Sequence, residues 1–93
     1  MLFVSEEALK KLGFVLASKY RVEIVRQLAL SPMTPSQIAR RTGIHISHVS
    51  LTLRDLAKEN IVRCVNPERK KGRLYILTDT GKWIAKRVMM MKK

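Results

Sequence analysis

Ninety-three residues with 46% apolar content make one domain with a single modest core, and the clear periodicity excludes a disordered chain. No apolar run approaches the ~20 residues that span a bilayer, and Met1-Leu2-Phe3-Val4 lacks the basic start and length of a signal peptide, so a cytoplasmic, nucleoid-associated location is expected. The formal net charge of +12 is uneven, with five Lys/Arg against three Asp/Glu in residues 1–39 and fourteen against four in residues 40–93, and so points to a polyanionic partner.

Ser5 is placed to cap a first helix over residues 6–17, with Glu6 and Glu7 at its positive end and Leu9, Leu12, Val15 and Leu16 at helical spacing. Ser18 restarts the chain as the cap of a second helix over residues 19–30, whose inward stripe is Tyr20, Ile24, Val25 and Leu28. Ser31-Pro32-Met33 breaks it. Thr34 caps a third helix, Pro35 suits its first position, and Gln37 completes a capping box. Gly43 ends that helix where a left-handed residue is wanted. A fourth helix over residues 46–59 has Ile46, Val49, Leu53 and Leu56 on its buried side, His45 as its cap and Asn60 as its left-handed stop. Residues 61–65 and 73–77 are β-rich runs flanking a basic turn, Glu68-Arg69-Lys70-Lys71-Gly72. Thr78 caps a last helix with Trp83, Ile84 and Val88 on one face, and Met89-Met90-Met91-Lys92-Lys93 is expected to fray. The expected fold is mainly α with a small β-hairpin, in the order α-α-α-α-β-β-α, as one domain over residues 1–93.

Two short capped helices around a glycine turn (residues 34–60), followed directly by a basic hairpin (residues 61–77), describe a helix-turn-helix with a wing. The motifs PSQIARRTG, HVSLTLRDLAKENIV and NPERKKGRLYILTDTGK, in this order, resemble the winged helix-turn-helix transcriptional regulators of the ArsR/MarR type, and look closest to their small archaeal branch. The resemblance covers residues 12–88 and includes Gly43, Val49-Ser50 and the Leu77-Thr78-Asp79-Thr80-Gly81 start of the last helix. Leu51 departs from it, since a long polar or basic residue commonly follows the Val-Ser pair, and Asn60 stands where a glycine is usual. The Cys-x-Cys signature and the last-helix His/Asp set of metal-sensing members are missing, so metal sensing is not implied.

A recognition helix uses mainly its N-terminal half for base edges. Ser47, His48, Ser50 and Leu51 are therefore the expected base-proximal residues, with Leu51 able to pack against a thymine methyl. Thr52 is expected near a phosphate, and Arg54 and Lys58 on the DNA backbone. Ser36 and Gln37 at the third helix's N-terminus, with Arg40, suit a phosphate, while one of Arg40 and Arg41 is expected only to solvate the surface. In the wing, Arg69, Lys70, Lys71 and Arg73 can reach phosphate or the minor groove, and Arg63 is a weaker candidate. A plain solvated helix face is the competing reading of these positions.

One such head reads few base pairs, so a homodimer on a pseudo-palindromic operator is expected, its half-sites ~34 Å apart. Leu9, Leu12, Leu16, Trp83, Ile84 and Val88, on terminal helices 5–17 and 78–91, are the interface candidates, with Met91 able to add to them, although the monomer's core must claim several. His45 and His48 could share a metal ion only with further ligands that the sequence does not place beside them; no metal, cofactor or catalytic site is expected, and any effector would need a cleft at the dimer interface. Cys64, the single cysteine, fits a buried structural thiol, with a redox role as the alternative. The sequence thus favours a DNA-binding transcriptional regulator, more readily a repressor, over a non-specific architectural DNA binder or a winged-helix protein adaptor.

Overall fold

The computed structural model describes residues 5–91 and has the expected element order: α1 (Glu6–Leu16), α2 (Lys19–Leu28), α3 (Pro35–Thr42), α4 (Ile46–Lys58), β1 (Val62–Cys64), β2 (Tyr75–Leu77) and α5 (Asp79–Met90). The readings of Met1-Leu2-Phe3-Val4 and of Lys92-Lys93 lie outside the described residues.

Each helix begins at a side-chain cap, because the first amides of a helix have no partner within it. Ser5 Oγ accepts from Ala8 N at 3.0 Å, Ser18 Oγ from Arg21 N at 3.3 Å and Thr78 Oγ1 from Gly81 N at 3.0 Å. The Thr34 capping box is complete: Gln37 N donates to Thr34 Oγ1 at 3.2 Å, and Thr34 N donates to Gln37 Oε1 at 2.8 Å. Both left-handed stops form, with Gly43 at φ 79° and Asn60 at φ 59°. α1 and α2 end one and two residues earlier than the periodicity suggests.

The antiparallel hairpin pairs Val62 with Leu77, Arg63 with Ile76 and Cys64 with Tyr75, and is shorter than the β-rich runs. A third strand position was not foreseen. Met33 N donates to Tyr75 O at 3.2 Å and Tyr75 N to Met33 O at 2.9 Å, so the segment that breaks α2 also covers the outer edge of β2.

The core gathers Val15, Ile24, Val25, Leu28, Ile38, Val49, Leu53, Leu56, Ile61, Val62, Leu77, Ile84 and Val88. Side chains of this kind stabilise by roughly 1.5–3 kcal/mol each when fully buried. α4 lies across α2 and α3, and α5 returns over α2 beside α1. Two expectations for the inward stripes fail at helix starts. Ile46 is 41% exposed and Tyr20 is also 41% exposed, each within the first two residues of its helix and about one turn ahead of the buried Val49 and Ile24.

Gly81 shows why α5 opens as it does. A Cβ there would fall deep inside contact distance of the Ile61 carbonyl oxygen, with Leu77 Cδ2 at 3.1 Å. The same carbonyl accepts from Thr78 N at 3.0 Å and from Thr78 Oγ1 at 3.1 Å. Thr78 and Gly81 together let α5 press directly on the backbone leading into β1.

Candidate nucleic-acid interface

α4 presents Ser47, His48, Ser50, Leu51, Arg54 and Lys58 on its exposed side. Leu51 is 53% exposed, an apolar side chain in the middle of a polar face. Thr52 does not belong with them. It is buried, because Val49, Thr52, Leu53 and Leu56 form one stripe against the core, and its hydroxyl cannot reach an external phosphate. His45 caps the helix with its ring: Ser47 N donates to Nδ1 at 3.1 Å, and Ser47 Oγ lies 2.9 Å from the same nitrogen.

The N-terminus of α3, the exposed side of α4 and the wing tip converge on one groove of about 640 Å³. Ser36, Ser50, Arg54, Lys70, Lys71 and Arg73 all line it. Ser50 and Arg54 of α4 and the cationic turn, separated by some twenty residues of chain, therefore face a common space, whereas Ser47, His48, Leu51 and Lys58 of the exposed side do not line it. Among the described residues the one ion pair is Lys11 Nζ–Glu7 Oε2 at 3.7 Å, so the cations of α4 and the wing are not ion-paired there. A groove lined by Arg54, Lys70, Lys71 and Arg73, with no carboxylate among its lining residues, attracts a polyanion.

The cationic residues divide into two kinds. Lys70 and Lys71 are exposed, and their side chains make no hydrogen bonds within the described residues. Arg69 and Arg73 build the turn: Arg73 Nε donates to Arg69 O at 2.6 Å, Arg73 Nη2 to Pro67 O at 3.0 Å and Arg69 Nε to Lys71 O at 3.2 Å. Each keeps guanidinium N–H groups free, but their first task is to hold the wing in shape. Gly72 turns the chain at φ 70°.

Gln37 and Arg40 lie away from this groove, in a second cleft with Pro32 and Arg41. Gln37 is committed to the capping box through Oε1, and Arg41 Nε donates to Gln27 Oε1 at 2.8 Å, so Arg41 is the arginine of that pair tied to the protein surface. Arg63 is exposed on β1, outside the groove.

Two residues that matter here escaped the sequence reading. Asn66 is the hub of the wing, where its Oδ1 accepts from Leu74 N at 2.8 Å and its Nδ2 donates to Gly72 O at 3.3 Å. An asparagine before proline at the mouth of a basic turn was the available signal. Lys11 of α1 donates to Glu59 O at 2.7 Å and so satisfies a carbonyl at the end of α4. Nothing local in the sequence pairs positions 48 residues apart. Cys64 is half-buried rather than sealed, and its thiol donates to Asn66 Oδ1 at 3.4 Å.

The interface candidates also separate. Ile84 and Val88 are 0% and 3% exposed and belong to the monomer's core, where they pack over α2; they cannot contribute to a dimer surface. Leu9 and Leu16 are open on α1, with Leu12 half-buried between them. Trp83 is half-buried beneath the Arg87 guanidinium, 4.1 Å from its ring centroid. Met89, Met90 and Met91 are exposed at the end of α5.

Over residues 16–65, from the end of α1 through β1, the chain matches the family described as helix-turn-helix domain. No curated protein matches the sequence. Among solved structures it is similar to the adhesin competence repressor AdcR of Streptococcus pyogenes (17% identity, 91% of this chain and 70% of that one, TM-score 0.71). It is also similar to HlyU of Vibrio cholerae (18% identity, 95% and 94% covered, TM-score 0.70). A third likeness is to Mb0332 of Mycobacterium bovis, described as a homodimeric winged helix-turn-helix DNA-binding domain and a possible ArsR-family transcriptional regulator (23% identity, 97% and 85% covered, TM-score 0.67). Identities this low carry the fold, and the family match spans more than half of the sequence: the chain belongs to the helix-turn-helix domain family, in the winged form shared with regulators of the MarR and ArsR type.

Proposed function

We propose that the protein is a sequence-specific DNA-binding transcriptional regulator that acts as a homodimer on a pseudo-palindromic operator. The observation that carries this reading is the single groove into which Ser36, Ser50, Arg54, Lys70, Lys71 and Arg73 open from three separate elements. With α4 in the major groove, Ser47, His48, Ser50 and Leu51 meet base edges. Arg54 and Lys58 lie along the backbone, Ser36 faces a phosphate at the start of α3, and Lys70 and Lys71 follow the strand flanking the groove.

A second copy doubles the number of base pairs read. The open leucines of α1, with Trp83 and the methionines of α5, offer it an apolar surface. The likeness to the homodimeric Mb0332 domain favours the same arrangement. Repression fits best, because occluding a promoter demands no additional surface.

Selection of bound sequences from a random duplex pool, followed by footprinting, tests the proposal. The expected result is one motif with two-fold symmetry and half-sites about one helical turn apart. Affinity should fall linearly in log–log form with salt, by a slope of about 0.9 per phosphate neutralised. Equal affinity for every duplex would leave only a non-specific binder.

A further inference from the structure

We propose that Tyr20 is a positioning residue for sequence readout: its ring holds the His48 imidazole in one orientation at the start of α4, so that His48 distinguishes one base pair in each half-site. This rests on the regulator reading above and adds to it a residue from outside the helix-turn-helix.

Tyr20 belongs by periodicity to the inward stripe of α2, yet it is 41% exposed while Ile24 and Val25, further along the stripe, are sealed. What its ring meets is His48, with centroids 5.2 Å apart and planes tilted by 54°. Aromatic pairs favour separations of about 4.5–7 Å in offset or tilted arrangements. His48 also meets His45 nearly at right angles, at 6.3 Å and 86°. His45 is itself fixed, because its Nδ1 accepts the Ser47 amide that begins α4.

The exposed imidazole thus meets two rings at once, Tyr20 from the first turn of α2 and His45 from the cap of α4. A solvent-exposed histidine on an open helix face would sample several rotamers and lose that freedom on binding. Freezing one such side chain weakens association by roughly three- to tenfold, and a side chain already held in place avoids the loss. His48 is among the first residues of α4, the part of a recognition helix that meets base edges, and its nitrogens can both donate and accept. Orientation decides which base edge they match. Tyr20 supplies that orientation from α2 without needing to touch DNA.

The test is selection from a random duplex pool with the wild type, Tyr20→Ala, Tyr20→Phe and His48→Ala, each checked for folding by thermal melting. His48→Ala should lose preference at one base pair per half-site. Tyr20→Ala should lose preference at the same base pair and bind the wild-type motif about three- to tenfold more weakly, while Tyr20→Phe keeps both. A motif and affinity untouched by Tyr20→Ala would overturn the inference alone, as would equal weakening on all sequences. A wild type that selects no motif would overturn the regulator reading and this inference with it.

Discussion

Alanine at the two helical glycines should have opposite effects, and the contrast tests how α5 is seated. At Gly13, in the middle of α1, an added Cβ meets nothing within 4 Å. Gly13→Ala should therefore gain the helix-propensity difference of about 1 kcal/mol. At Gly81 the same methyl collides with the Ile61 carbonyl oxygen, a backbone atom that cannot rotate aside, and crowds Leu77 Cδ2 at 3.1 Å. Relief requires α5 to back away from β1, which stretches the two hydrogen bonds from Thr78 to Ile61 O. Overpacking costs about 1–3 kcal/mol and loss of a hydrogen bond about 1 kcal/mol, so we expect Gly81→Ala to destabilise by about 3 kcal/mol. For a domain of this size each kcal/mol moves the midpoint by about 4–8 °C, so Tm should fall by about 12–24 °C for Gly81→Ala and rise by about 4–8 °C for Gly13→Ala. Thermal melts followed by circular dichroism, at one fixed protein concentration because self-association shifts Tm, make the comparison. A Gly81→Ala midpoint within about 2 °C of the wild type, equivalent to under about 0.5 kcal/mol, would refute the account of α5 docking.

Replacing both Lys70 and Lys71 by Gln should leave Tm unchanged, since neither side chain is hydrogen-bonded among the described residues and the Lys71 carbonyl that Arg69 holds is kept, and should lower the salt slope of duplex binding by about 1.8 per protomer, read by fluorescence anisotropy. Asn66→Ala leaves Leu74 N and Gly72 O without their partners and should cost about 1–3 kcal/mol in chemical denaturation, with faster amide exchange confined to the wing. Leu9→Glu with Leu16→Glu places two charges on the open face of α1, so sedimentation should show a monomer whose fold, by circular dichroism, is intact. A dimer persisting in that variant would move the interface elsewhere.

What the sequence made legible was short-range. Ser5, Ser18, Thr34, His45 and Thr78 each cap through an atom two or three residues away, and Gly43 and Asn60 end their helices by their own backbone freedom, so these boundaries follow from local chemistry. The order of elements followed from them. The errors have non-local causes. Thr52 is polar, yet α2 and α3 close over the side of α4 that carries it. Ile84 and Val88 lie on a helix with apolar residues in excess of what any wheel can assign, and only the packing of α5 on α2 decides that they serve the core. Arg69 and Arg73 carry the same charge as Lys70 and Lys71, but the folded turn gives the arginines carbonyls to hold. The pairings Met33–Tyr75 and Lys11–Glu59 join distant segments that no periodicity connects.

The Met33–Tyr75 bridge has a mechanical corollary. Met33 immediately precedes Thr34, so the residue that latches β2 also leads into the first turn of α3. The turn-side end of the hairpin and the scaffold beneath α4 are consequently stitched into one frame, and the stretch from Pro67 to Gly72, tied by its own arginines and Asn66, is carried on it. Against a duplex such a body works like a caliper, whose two jaws, α4 and the tip of the wing, are set by one frame.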